Sequence, residues 1–243
     1  MKIKIKTLFI SDVHLGNPNS QPKKLLRVFE EYEFENLFIL GDFIDLTYMK
    51  RNSSKWNNNH FKVIQKIIKY SKQGINITYL IGNHDIFIKD VLNNGELDLG
   101  NIKICEVVKY NTTKGRKILL VHGDCFDGFI KIHPFLYRLG DSSYELSIKL
   151  NKVLNWFREK LGLPYWSLSG YLKTKVKNVT MFLNQYEKLA KDLIKNNDCE
   201  SLMMGHTHCP TIEENYYNTG DFCESCSYMI ERLDGDINLL YVR

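Results

Sequence analysis

Histidine is scarce in this 243-residue chain, and most of it sits in one kind of place. Of seven histidines, five (His14, His84, His122, His206 and His208) lie beside Asp, Asn or Gly, just after a short apolar run. The settings are Asp12-Val13-His14, Gly41-Asp42-Phe43-Ile44-Asp45, Gly82-Asn83-His84-Asp85, Val121-His122-Gly123-Asp124 and Gly205-His206-Thr207-His208. A single DxH or HxH is more often a surface loop than a ligand set. Five together are a different signal. Imidazole and carboxylate donors suit Mn, Fe, Co, Ni or Zn, and no thiolate is needed. A site for two such ions, about 3.5–4 Å apart, requires a bridging carboxylate.

Strands that end at these motifs are needed to bring them together. Residues 3–10 alternate Lys with apolar residues and then turn fully apolar, as a strand entering a core does. Pro22 suits the first turn of a helix reaching about Tyr32. Residues 36–40 and 75–81 read as buried strands, and 60–72 as a helix spaced through Phe61, Ile64, Ile67 and Ile68 and stopped by Gly74. Residues 102–109 and 116–121 read as a strand pair turning at Lys114-Gly115. Residues 201–204, 211–217, 226–232 and 237–242 read as strands, with Asp234-Gly235 a hairpin signal. Each motif then falls at a strand end, where layered α/β folds collect their chemistry. The expected fold is an α/β (α+β) layered sandwich of two mixed sheets flanked by helices. It is expected as one domain over 1–243, with a helical cap inserted at 126–196.

Composition is that of an ordinary globular protein: 44% hydrophobic, 25% charged, net charge +5. The basic balance suits an anionic substrate or membrane surface. No aromatic-basic motif of an RNA-binding sheet is present, so no nucleic-acid partner is expected. The first ten residues do not read as a signal peptide, and no window offers about 18 apolar residues. The expected location is the cytoplasm, with peripheral contact at the inner face of a membrane. The six cysteines lack the density of a disulfide scaffold. They read as free thiols, or as a zinc site using Cys209, Cys223 and Cys226.

Residues 126–180 carry nine basic and four acidic residues among many aromatics, which suits an amphiphilic ligand or an interface. An ordinary cap with solvated lysines fits equally well. Lys173, Lys175 and Lys177 are candidates to reach a substrate phosphate, although one helix face cannot hold all three. His60, Trp56 and Phe61 read as packing for a surface helix, and His133 as a polar boundary residue. The turn Tyr217–Asp221 reads as a plain turn or as backbone support for the metal loop.

The five motifs, in this order, resemble those of the calcineurin-like metallophosphoesterase superfamily: DxH, GDxxD, GNH(D/E), an HGD-like loop and GHxH. Carried over, the resemblance implies that Asp12, His14, Asp42 and His208 hold one divalent ion, and Asp42, Asn83, His122 and His206 the other. Mn²⁺ is the expected metal. The resemblance makes His84 a catalytic group facing the phosphate, Asp85 the residue that orients it, and Asp45 and Asp124 supports for ligand histidines. Two divalent ions outweigh the two carboxylates, so the site attracts phosphate and acidifies water.

A longer resemblance, through residues 8–16, 40–46, 122–128, 161–178 and 217–231, is to UDP-2,3-diacylglucosamine diphosphatases and their close relatives. It implies hydrolysis of a nucleotide-linked lipid at its pyrophosphate, giving UMP and a lipid monosaccharide phosphate in lipid A biosynthesis. The chain departs from the well-studied branch in carrying His84 where that branch has Arg. The alternatives are a phosphodiesterase or phosphatase of the same superfamily acting on another nucleotide or phospholipid-like substrate, and a scaffold that has lost catalysis. Retention of all seven ligand positions and His84 argues against the scaffold.

Overall fold

The structure is a computed structural model. It describes residues 2–52, 56–92, 95–126, 151–152, 155–162 and 188–242. Most of the expected cap, with His133, Lys173, Lys175 and Lys177, lies outside the described residues.

The chain forms two compact units, one of Met1–Gly123 with Ile194–Arg243 and the other of Asp124–Leu193. The first unit opens with β1 (Ile3–Lys4), β2 (Thr7–Ile10), α1 (Pro22–Glu31), β3 (Tyr32–Glu33) and β4 (Asn36–Leu40). It continues through α2 (Leu46–Arg51), α3 (Asn58–Lys72), β5 (Asn76–Leu80) and a 3-10 turn over Ile86–Val91. Then come β6 (Glu96–Asp98), β7 (Ile102–Cys105), β8 (Val107–Asn111) and β9 (Lys117–Val121). After the second unit the strands are β10 (Ser201–Met204), β11 (Thr211–Ile212), β12 (Tyr216–Asn218), β13 (Ser227–Glu231) and β14 (Ile237–Tyr241).

Seven strands form one mixed sheet in the order β14-β13-β2-β4-β5-β7-β6, and five form another in the order β11-β12-β10-β9-β8. Strands β2, β4, β5 and β7 run parallel, as do β9, β10 and β12. Alternation explains the layers. Leu8, Ile10, Leu37, Ile39 and Ile77 point into a core shared with Leu25, Val28 and Phe29 of α1 and Val63 and Ile67 of α3. Phe9, Phe38, Leu40 and Leu80 point the other way, into a second core with Ile118, Leu120, Met203 and Met229. A strand covered on both faces must be apolar throughout, which is why TLFI and NLFIL read as runs rather than alternations. Each fully buried Phe or Leu here stabilises by about 1.5–3 kcal/mol.

Three details differ from the sequence pattern. The segment 102–109 is two strands in two sheets. β7 pairs with β5 and β6, the chain crosses at Glu106, and β8 pairs with β9. An apolar rhythm does not record a change of sheet. The segment 211–217 is a hairpin of β11 and β12, and its Glu213-Glu214-Asn215 turn lacks the Gly or Pro that marks one. In α3 the buried stripe is His60, Val63, Ile67 and Tyr70, which leaves Phe61 and Ile68 exposed. Tyr70 is drawn inward because its hydroxyl donates to the Phe29 carbonyl at 2.9 Å.

In the second unit residues 155–160 are helical, with Lys160 Nζ 3.7 Å above the Trp156 ring. Among the described residues no helix is long and apolar enough to cross a membrane.

Candidate metal centre

All five motifs begin where a parallel strand ends: after β2, β4 and β5 in one sheet, and after β9 and β10 in the other. Parallel strands put their carboxyl ends on one side, so the loops converge. The backbone there is strained. Among the described non-glycine residues seven have positive φ, and five of them are Asp12, His14, Asp42, His206 and His208. Such a conformation costs about 1–3 kcal/mol each and persists where surrounding contacts enforce it.

Two glycines show how tightly the loops are packed. A Cβ on Gly82 would lie 2.2 Å from Asp42 Oδ1, and one on Gly205 would lie 2.2 Å from Asp12 Oδ2. The glycine of each of these motifs therefore makes room for a carboxylate of another motif. Backbone amides then hold those carboxylates. His84 N donates to Asp42 Oδ1 at 2.8 Å, and His206 N donates to Asp12 Oδ2 at 2.9 Å.

The remaining carboxylate oxygens face ring nitrogens. Asp42 Oδ2 lies 3.8 Å from His14 Nε2 and 3.4 Å from His122 Nε2. Asp12 Oδ1 lies 3.9 Å from His14 Nε2 and 3.2 Å from His208 Nε2. Asn83 Oδ1 is 3.1 Å from His122 Nε2, and the His206 ring packs edge-on to that of His122 at 5.0 Å. Donor atoms of Asp12, His14 and His208 lie within 4.8 Å of one another, as do those of Asp12, Asp42 and His122. Asp12 Oδ1 and His14 Nε2 are buried without a hydrogen-bond partner. Buried polar atoms are rarely left so, and a cation between this carboxylate and this imidazole would satisfy both. The oxygen and nitrogen donors fit divalent transition ions, and among the described residues no candidate ligand group contains a cysteine. Cys223 and Cys226 are buried, in and after the turn before β13.

Electrostatics follow from this crowding. Burial pushes Asp12 up, but His208 outweighs it and holds the carboxyl at about 2. Burial likewise raises Asp42, and His122 with His14 and His84 brings it well below the usual range. Burial would lower His14, yet its bond to Asp45 and the charges of Asp42 and Asp12 raise it to about 9.

The supports differ from those implied by resemblance. Asp85 does not orient His84. Its carboxylate accepts from Gly82 N at 2.5 Å, Phe43 N at 3.0 Å and the Tyr79 hydroxyl, and so ties down the loop. Burial and the Asp42 charge push Asp85 up to about 6. Asp45 holds His84, accepting from its Nδ1 at 2.8 Å, and Asp45 Oδ2 is 3.2 Å from Nδ1 of His14. Asp45 also caps α2 by accepting from Tyr48 N, and accepts from Asn17 Nδ2 at 2.9 Å. A carboxylate next in sequence to His84 is on the wrong side of the turn, whereas one three residues past Asp42 sits across the loop. Asp124 is half-buried and belongs to the second unit, and His122 Nδ1 donates instead to the Leu40 carbonyl at 2.8 Å. Asp221, buried and 3.9 Å from His208 Nδ1, is a neighbour that motif spacing missed. Its only signal was the Asn-Thr-Gly-Asp turn.

A family model described as calcineurin-like phosphoesterase matches residues 5–210. The UDP-2,3-diacylglucosamine hydrolase of Psychromonas ingrahamii is 26% identical, covering 97% of this chain and 97% of its own length. That of Hamiltonella defensa is 27% identical over 86% of this chain and 79% of its own. Among solved structures, Yfce, a phosphoesterase from E. coli, is similar with a TM-score of 0.44 and 17% identity, over 98% of this chain and 100% of that one. Because the family match runs from the strand before Asp12 to the residue after Cys209, through every loop that meets at Asp42, the chain belongs to the calcineurin-like phosphoesterase family and is a metal-dependent phosphoesterase.

Proposed function

We propose that this phosphoesterase cleaves the pyrophosphate of UDP-2,3-diacylglucosamine, releasing UMP and a lipid monosaccharide phosphate for lipid A biosynthesis, with two Mn²⁺ ions as cofactor. The observation that carries the metal reading is Asp42 Oδ2, set between His14 Nε2 and His122 Nε2 as a bridging carboxylate would be. In this reading Asp12, His14, Asp42 and His208 hold one ion, and Asp42, Asn83, His122 and His206 the other. Bound there, the ions supply positive charge for the phosphate and acidify water for attack.

The protein's own groups do the rest. Asp45 accepts the proton on Nδ1 of His84, which leaves Nε2 as the atom presented to substrate. As water adds to phosphorus and the bridging P–O bond breaks, the imidazolium form of His84, whose Nδ1–H stays on Asp45, gives its Nε2 proton to the departing phosphate oxygen and is left as the neutral Nδ1–H ring. Asp85 holds the backbone of Gly82 and Phe43, and so fixes the two motifs that carry Asp42 and His84.

The substrate is supported by relatives named UDP-2,3-diacylglucosamine hydrolase that align over most of their own length. Lipid contact is supported by exposed Trp156, Phe157 and Leu161 near Lys160, an apolar and basic combination suited to an interface. The test is UMP release from UDP-2,3-diacylglucosamine by Mn-loaded protein, beside bis-p-nitrophenyl phosphate. UMP release that is lost in Asp42→Ala supports the proposal. Turnover of the chromogenic diester alone refutes the substrate and keeps the metal mechanism.

A further inference from the structure

Metal-ligating histidines bind well when the second ring nitrogen donates to a fixed acceptor, which sets tautomer and orientation. His14 has Asp45 on Nδ1, and His122 has the Leu40 carbonyl. For His208, whose Nε2 is 3.2 Å from Asp12, the carboxylate on the Nδ1 side is Asp221, with Oδ2 at 3.9 Å. That is an ion-pair separation rather than a hydrogen bond, and such contacts often tighten only once a ligand is bound.

Asp221 is fixed from every side. It is fully buried, and its Oδ1 accepts from the backbone of Cys223 at 2.6 Å and of Glu224. Its Oδ2 accepts from Ser225 Oγ at 2.9 Å and Ser225 N at 3.3 Å. The same segment grips the ligand loops. Asn218 Nδ2 donates to the Gly205 carbonyl at 2.7 Å, Ser11 Oγ donates to the Gly220 carbonyl at 2.8 Å, and Phe222 N donates to the Asp12 carbonyl at 3.0 Å. A buried carboxylate costs stability unless something uses its charge. Among the described residues, no Lys or Arg pairs with this one.

We infer that Asp221 is the positioning residue for His208: it holds the Nδ1–H tautomer and so leaves Nε2 for the metal. The inference rests on the two-metal reading of the site. It predicts that Asp221→Asn weakens metal binding without unfolding the chain. The Asn oxygen still accepts from Cys223 and Glu224, and its amide can donate to Ser225 Oγ. That amide also presents N–H to His208 Nδ1, which favours the tautomer with the proton on Nε2, where it blocks ligation.

The experiment is calorimetric titration of metal-free protein with Mn²⁺, for parent and Asp221→Asn, with the metal-free Tm of each. The expected result is two sites in the parent. In the variant, one of them is weakened by about 10–100-fold at a closely similar Tm. Equal affinities in both proteins overturn the inference. Fewer than two sites in the parent overturn the two-metal reading itself, and the inference with it. A readout independent of the variant is ¹⁵N NMR of His208 in Zn²⁺-loaded parent. A proton on Nδ1 with metal on Nε2 is expected, and the reverse overturns the assignment even if Asp221→Asn fails to fold.

Discussion

Adding one methyl at Gly82 tests whether the site depends on the close approach of its loops. A Cβ there would sit 2.2 Å from Asp42 Oδ1, 2.7 Å from Asp42 N and 2.8 Å from Asp42 Cγ. Relief from 2.2 Å to the short end of ordinary contact, about 3.4 Å, requires more than roughly 1 Å of movement. The backbone nitrogen cannot move so far cheaply, so the Asp42 side chain must swing. That breaks the 2.8 Å bond from His84 N and displaces Oδ2 from His14 and His122. Gly82 is not among the glycines with positive φ, so alanine adds crowding without backbone strain. Overpacking of this kind costs about 1–3 kcal/mol. In a chain of this size 1 kcal/mol shifts Tm by about 2–4 °C, so the variant stays folded at 25 °C. Ligand positions tolerate only about 0.2 Å, and a misplacement near 1 Å costs on the order of 100-fold in rate. The assay is hydrolysis of bis-p-nitrophenyl phosphate at saturating Mn²⁺, with Tm and bound metal measured alongside. A Gly82→Ala protein with parental kcat and metal content would refute the claim that Gly82 sets the position of Asp42.

Asp42→Ala should abolish activity and reduce bound metal. His84→Ala should cost about 10²–10⁴-fold in kcat with both metals retained, and equal metal loss in the two would remove the role given to His84. Asp45→Asn must turn an amide N–H toward His14 or His84, so kcat and metal affinity should both fall by about 10–100-fold. Asp85→Asn should chiefly lower Tm, by about 1–3 kcal/mol of lost stability, because buried donors lose an acceptor; the opposite ranking of these two variants in kcat would contradict the geometry. With His14 raised from 6.5 to about 9, the metal-free protein holds a proton there at neutral pH. A raised folded-state pKa stabilises below 6.5, and that contribution is lost as pH rises through about 9. Metal must expel the same proton, so Mn²⁺ affinity should climb with pH toward 9, with proton release seen by calorimetry in buffers of different ionisation enthalpy. PH-independent affinity would show that His14 is already neutral.

Residue types and order alone placed every motif at a strand end, because ligand chemistry admits few side chains and strand interiors here are purely apolar. The seven candidate ligand residues and His84, which the fold brings together, were therefore legible as a group, and so were most strands and both long helices. Partnerships across space were not. The resemblance pairs His84 with Asp85, but the turn at Gly82–Asp85 sends that carboxylate back to backbone amides and leaves His84 to Asp45. The break at Glu106 was hidden because an alternating strand looks the same in one sheet as when it passes between two. Asp221 stood 13 residues beyond His208, in a turn that read equally well as a plain turn or as backbone support for the metal loop. Only the parallel pairing of β10 with β12 carries that turn to the ligand loop. Side-chain chemistry is local and written in the sequence; orientation of that chemistry is set by non-local packing, and only the folded chain decides it.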